Sequence, residues 1–317
     1  MATTHPDGLW PRATARWAEI AAIWPDLEPT VALQQRLVRL ILEAADRLHP
    51  PLPSSLAAAH VVDRWQRGLP ALRNAPVPIP ESLYPLLHAC CGVLADGGAG
   101  GSARHIQDAL LDGRIDAGSL LSVSLARNQK AIRTSALHMG FSPDLVWLVG
   151  ELGSSPLAHQ LQVQIIADTL HTNKGVRPLY LCVAETAAGL EGWDRGYCAI
   201  CGSWPVFIES RAGSRVLLCS FCALAWSLRS RRCIYCGNDG GDFVTAAAEV
   251  RRGSQCVELC AKCAGYTKVI EVADPTPFPL LAIEDLGSID LDRAAMDRDY
   301  RRPALCDLDH LEPLRAC

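Results

Sequence analysis

The chain has 317 residues, 49% of them hydrophobic, and a formal net charge of -4 at pH 7. That length supports a sizeable core and two or three domains. The small negative charge does not mark a nucleic-acid binder, and the lack of an apolar run of membrane-spanning length argues against membrane insertion.

The first 170 or so residues read as helical. Arg12 to Trp24 places Ala13, Trp17, Ile20 and Ile23 at helical spacing, and Thr30 to Leu48 does the same with Val31, Leu33, Leu37, Leu40, Ile41 and Ala44. Pro25 to Pro29 breaks the two, and Pro51 to Ser54 precedes a third segment from Ser55 to Trp65. Pro70 to Pro80 is an extended connector, because each proline removes a donor and restricts its predecessor. Ser82 to Leu94 is the next helix, with Cys90 and Cys91 as buried small side chains. Gly97 to Gly101 lacks the Gly-Lys-Ser/Thr of a phosphate loop and reads as a connector. Helices resume at Ser102 to Leu111 and Ser119 to Met139. Ser142-Pro143-Asp144 caps a segment reaching Leu152, and Ser155-Pro156 opens a last one that runs to His171 and exposes His159 and His171 at its ends. A polar break at Asn173 to Pro178 leads to the apolar stretch Leu179 to Leu190.

Composition then changes. Ten of the fourteen cysteines lie between Cys182 and Cys263, eight of them as Cys-x-x-Cys pairs: Cys198/Cys201, Cys219/Cys222, Cys233/Cys236 and Cys260/Cys263. One such turn aims two thiolates at one ion, and two turns together make a closed tetrahedral site. Four pairs suggest two sites. Chain order groups Cys198, Cys201, Cys219 and Cys222 around one metal and Cys233, Cys236, Cys260 and Cys263 around the other; cross-pairing between the modules stays open. The intervening 17 and 23 residues suit hairpins. Their strands are Val206 to Glu209 with Arg215 to Leu218, and Asp242 to Val244 with Gln255 to Leu259; Ile270 to Val272 would finish the second module. Gly202 and Gly237 directly follow the first knuckles, where a positive φ turns amides toward a thiolate. Trp226 and Tyr266 follow the second knuckles as candidate covers. These features describe a pair of rubredoxin-like or zinc-ribbon modules.

Met1 to Pro29 shows no basic start followed by an unbroken apolar run, so the reading is a cytoplasmic chain with reduced thiols and metal in place of disulfides. Between Cys198 and Cys236, Arg211, Arg215, Arg229, Arg231 and Arg232 stand against Glu209 alone. They would offset thiolate charge or form a protein surface; a zinc-ribbon nucleic-acid binder is the lesser alternative, since the run lacks regular aromatic interleaving. From Glu271 to Arg301 eight acidic residues face three basic ones. His88, His105, His138, His159 and His171 are scattered, and a full thiolate shell leaves no position for water, so no catalytic residue is assigned.

The expected architecture is α+β: a helical domain over 1–180, rubredoxin-like modules over 181–230 and 231–272, and a short acidic C-terminal segment over 273–317. Trp193 to Pro205 (WDRGYCAICGSWP), Leu218 to Trp226, Arg232 to Gly237, Glu258 to Lys268 and Leu281 to Leu286 together resemble the FdhE family of formate dehydrogenase accessory proteins. The match is specific over roughly 190–300. The resemblance implies a cytoplasmic maturation factor that binds the catalytic subunit of a respiratory formate dehydrogenase and is not itself an enzyme. It favours iron in two four-cysteine sites; zinc stays open, as do an iron-dependent redox role and homo-oligomer formation. Two departures stand out: Ala199 where proline is common, and an extra Cys256, read as lying outside the metal shell.

Overall fold

Prolines and small polar residues punctuate a helix-favouring first half, and they set its element boundaries. The computed structural model describes residues 6–169, 193–211, 213–247 and 255–303. Its first helices are α1 (Pro6–Ile23), α2 (Glu28–Arg47), α3 (Ala58–Gln66), α4 (Tyr84–Leu94), α5 (Gly100–Leu111), α6 (Ala117–Leu125), α7 (Gln129–His138) and α8 (Pro143–Thr169). Leu9, Ala13, Trp17 and Ile20 of α1 form one buried stripe. On α4, Cys90 and Cys91 are both fully buried, and burial pushes their thiols up to about 12, which keeps them inert at neutral pH. The glycine run joins α4 to α5 through Gly98 (φ 118°) and Gly100 (φ 52°), as expected of a connector.

Two helical expectations are corrected. The helix expected from Ser119 to Met139 is two helices, because Arg127 is left-handed (φ 59°) and the Asn128 side chain accepts from the Ala131 amide at 3.1 Å, capping α7. Conversely, Ser155-Pro156 starts nothing: α8 runs through it. Pro156 has no N–H to offer the Leu152 carbonyl four residues back, and the Ser155 hydroxyl donates there instead at 3.2 Å. The continuous α8 is the buried centre of the bundle. His159 is therefore 3% exposed rather than at an open helix end. His171 and the apolar stretch 179–190 lie outside the described residues.

The cysteine region folds into β1 (Pro205–Arg211), β2 (Ser214–Cys219), β3 (Ala225–Trp226), β4 (Phe243–Ala247), β5 (Gln255–Cys260) and β6 (Gly265–Glu271). All the expected strand pairs form, and β3 and β6 extend each hairpin. The two halves do not merely sit in tandem. β1 pairs in parallel with β6, Ile208 opposite Val269, to make one sheet of order β3-β2-β1-β6-β5-β4.

The acidic stretch that follows is amphipathic, and it folds back as α9 (Phe278–Gly287) and α10 (Ile289–Met296). Leu280 and Ile283 of α9 join the Trp17 and Ile20 cluster of α1, while Leu291 and Ala295 of α10 pack with Val257, Leu259 and Tyr266 of the sheet. The largest core runs without interruption from the helices into the first cysteine module. The architecture is α+β, with helices first and a sheet carrying two four-cysteine clusters.

Candidate metal centre

The first Cys-x-x-Cys turn of each module closes in the same way. The Gly202 amide donates to the Cys198 carbonyl and the Gly237 amide to the Cys233 carbonyl, both at 2.9 Å. Gly202 (φ 84°) and Gly237 (φ 74°) adopt the left-handed conformation that the sequence implied. The second knuckles use the same conformation with alanine, at Ala223 (φ 61°) and Ala264 (φ 52°). A residue with a Cβ pays for this with roughly 1–2 kcal/mol, so sequence reasoning had no cue there. The turns aim amides at sulfur: Ile200 N–H donates to Cys198 Sγ, and Phe221 and Cys222 N–H donate to Cys219 Sγ, each at 3.4 Å.

The eight paired cysteines gather as two groups in chain order, Cys198, Cys201, Cys219 and Cys222 in one and Cys233, Cys236, Cys260 and Cys263 in the other, with the sulfurs of each group within 4.8 Å of one another. Closest approaches are 3.5 Å for Cys198–Cys222, 3.4 Å for Cys201–Cys219 and 3.7 Å for both Cys233–Cys263 and Cys236–Cys260. A disulfide requires about 2.05 Å. A tetrahedron with metal–sulfur bonds of about 2.3 Å has an edge of roughly 3.8 Å, so the donor set and its spacing fit one thiophilic ion per group. Cys256, on β5 opposite Val269, is in neither group.

Electrostatics favour a cation at the first group. Burial pushes the Cys198 and Cys222 thiols up; burial acts on Cys201 in the same direction, but hydrogen bonds from the neighbouring sulfurs and the charge of Arg127 outweigh it and hold that thiol low. Four thiolates therefore need a metal charge to coexist here. Arg127 itself was invisible from sequence, lying far from the knuckles in the chain. Its guanidinium stacks 4.0 Å from the Phe221 ring and 4.7 Å from Trp147, pairs with Glu151, and keeps Nε and Nη1 buried with no hydrogen-bond acceptor among the described residues. A divalent ion with four thiolates carries a net charge of about -2, which this buried cation opposes.

In the second group, burial raises the Cys260 thiol, but the Cys263 amide and the Asn238 side chain outweigh it and bring it down to about 7. The ring beside these sulfurs is Tyr235: a Cβ on Gly265 would meet Tyr235 Cδ2 at 2.6 Å and Cys263 Sγ at 3.1 Å. Trp226 and Tyr266, expected as covers, direct their polar ends to the Arg195 carbonyl (2.9 Å) and Asp292 (2.8 Å). The basic run is also tied into the fold. Arg211 pairs with Glu209, Arg215 and Arg231 with the buried Glu258, and Arg232 with Asp194. No helix among the described residues is long and apolar enough to cross a membrane.

No family model matches the chain. Over part of its length the chain is similar to an FdhE homologue of Aquifex aeolicus (33% identity over 116 residues, 35% of this chain and 40% of that one). It is similar to one of Shewanella sp. MR-4 (38% over 107 residues, 31% and 33%) and to FdhE of Escherichia coli O127:H6 (27% over 118 residues, 36% and 38%). The chain spans 33–40% of the length of these curated relatives. In fold the likeness is broader: the crystal structure of the FdhE protein from Pseudomonas aeruginosa superposes with a TM-score of 0.57 at 18% identity, covering 93% of each chain. The chain is thus similar to FdhE proteins in sequence over 31–36% of its length and in fold along 93% of it.

Proposed function

We propose that this protein is a cytoplasmic accessory factor for formate dehydrogenase maturation, binding the enzyme's catalytic subunit through a scaffold held together by two metal ions. In this reading residues 1–180 form the helical scaffold, 181–230 and 231–272 the metal-binding modules, and 273–317 the C-terminal segment. Cys198, Cys201, Cys219 and Cys222 hold one ion, and Cys233, Cys236, Cys260 and Cys263 the other. The observation that carries the proposal is the pair of four-sulfur groups in a chain similar to FdhE proteins in sequence and fold. Four thiolates fill a tetrahedral ion's coordination and leave no position for a substrate or water, so the chemistry suits structure or electron transfer and not hydrolysis. Iron would add one-electron chemistry that zinc cannot supply. The pairing of Arg215, Arg231 and Arg232 with Glu258 and Asp194 weakens the nucleic-acid alternative.

The test uses the full chain as bait under reducing anaerobic conditions. It should capture the immature catalytic subunit, and a deletion strain should lose formate-dependent respiration until the gene is restored. Normal respiration in the deletion strain together with failed capture would defeat the role. Complementation by both zinc- and iron-loaded protein would identify a scaffold; restoration by the iron form alone would identify a redox factor.

A further inference from the structure

The two clusters share a backbone design and differ in their surroundings. In the first, all four cysteines are buried, at most 2% exposed. The helical part closes over this group. The Ala71 and Leu72 amides donate to the Ala199 and Ile200 carbonyls at 2.8 Å, the Trp65 indole donates to the Ala199 carbonyl at 2.9 Å, and His159 Nδ1 lies 3.1 Å from the Cys222 carbonyl. In the second, Cys233 and Cys260 are buried against Phe243, but Cys236 and Cys263 are exposed. These are the second cysteines of their knuckles. Each lies 3.7 Å from a buried partner sulfur, so two corners of this shell face solvent and two face the core.

Resting on the reading that both groups hold an ion, we propose that they divide the labour: the Cys198 group is a permanent structural centre, and the Cys233 group is an exchange centre whose ion the native protein can release and regain. With an ion bound, the exposed Cys236 and Cys263 would be the ligands that an incoming small thiolate or nitrogen donor could replace. The displaced cysteine thiolate would leave with its electron pair and take a proton from water; nothing would be oxidised or reduced. The same substitution at the first group requires the helical cover to open, a larger and rarer unfolding event.

The experiment begins with full-length protein reconstituted anaerobically with zinc. Elemental analysis should give two equivalents; protein with none bound would overturn the metal-binding reading itself. Excess chromogenic pyridylazo chelator should then remove one equivalent in a fast phase and the other at least about tenfold more slowly, as expected when local opening competes with a larger unfolding. Iodoacetamide added after the fast phase should label Cys236 and Cys263 and spare Cys198, Cys201, Cys219 and Cys222. The C236S/C263S double variant should hold one equivalent and show only the slow phase. W65F, which keeps an aromatic ring in place but removes the indole N–H and some packing from the cover, should hasten the slow phase severalfold and leave the fast phase unchanged. Two bound equivalents leaving in one phase, or labelling that begins in the Cys198 group, would overturn the division of labour while leaving the metal reading intact.

Discussion

At Gly196 the two cysteine modules approach within less than a methyl group. A Cβ there would lie 1.7 Å from the Ile234 carbonyl oxygen and 2.6 Å from its carbonyl carbon, and backbone cannot swing aside as a side chain can. Replacing Gly196 by alanine is expected to cost about 1–3 kcal/mol through overpacking, read as a lower urea midpoint of metal-replete protein. Gly97 supplies the comparison: its added Cβ would meet the Leu33 methyls at 2.5 and 3.1 Å, and these can rotate, so Gly97→Ala should cost less. An unchanged midpoint for Gly196→Ala would mean that the modules do not meet in this way. The same scale explains Arg127, which stacks on the ring of Phe221 and whose charge reaches Cys201 from a distant position in the chain.

Among the elements, β6 and the two C-terminal helices are joined by an ionic cluster. Lys268 is fully buried, and its Nζ lies 2.6 Å from Asp285 and 2.9 Å from Asp292, which also pair with Arg302 at 2.8 and 2.6 Å. Removing the lysine leaves two carboxylates with one cation, so Lys268→Met is expected to destabilise the protein by about 3–5 kcal/mol. Burial alone would raise the Asp285 carboxyl, but the charges of Arg302 and Lys268 outweigh it and hold it below the ordinary range. A carboxyl lowered on folding adds stability that is fully present above its unfolded value of about 3.9 and is lost as pH falls through the folded value. Urea titrations should therefore show a gap between parent and Lys268→Met that is steady from neutral pH down to about pH 5 and narrows below about pH 4. A gap independent of pH would show that the lysine acts through packing alone.

For the molecule as a whole, the two clusters hold different amounts of structure. The first belongs to the core that runs into the helices, where Trp65, Leu72 and Leu161 share one apolar cluster with Cys198, Ile200 and Cys222. The second closes over its own small cluster of Cys233, Phe243 and Cys260. Because metal ligation is coupled to folding, C198S/C201S should lower the melting temperature of the helical signal by circular dichroism. C233S/C236S should leave that signal close to the parent and expose only β4, β5 and β6 to faster hydrogen exchange. Equal loss of helix in both variants would show a single cooperative unit.

Local chemistry was legible from residue order. A Cys-x-x-Cys turn is made by adjacent residues, so the eight candidate ligands, the glycines at 202 and 237 and the strands between knuckles follow from spacing alone. The helices were legible where apolar periodicity met a clear cap. Reading failed where a side chain replaced a missing backbone bond, as Ser155 does for Pro156, or where a left-handed Arg127 interrupted an unbroken apolar pattern. Which knuckles share a centre, the parallel seam of Ile208 with Val269, the cation beside Cys201, and the burial of one cluster against the exposure of Cys236 and Cys263 were decided only by the tertiary structure. The physical reason is range: turn geometry depends on neighbours in sequence, whereas burial and electrostatic field at a sulfur are set by whatever distant segments the fold packs around it.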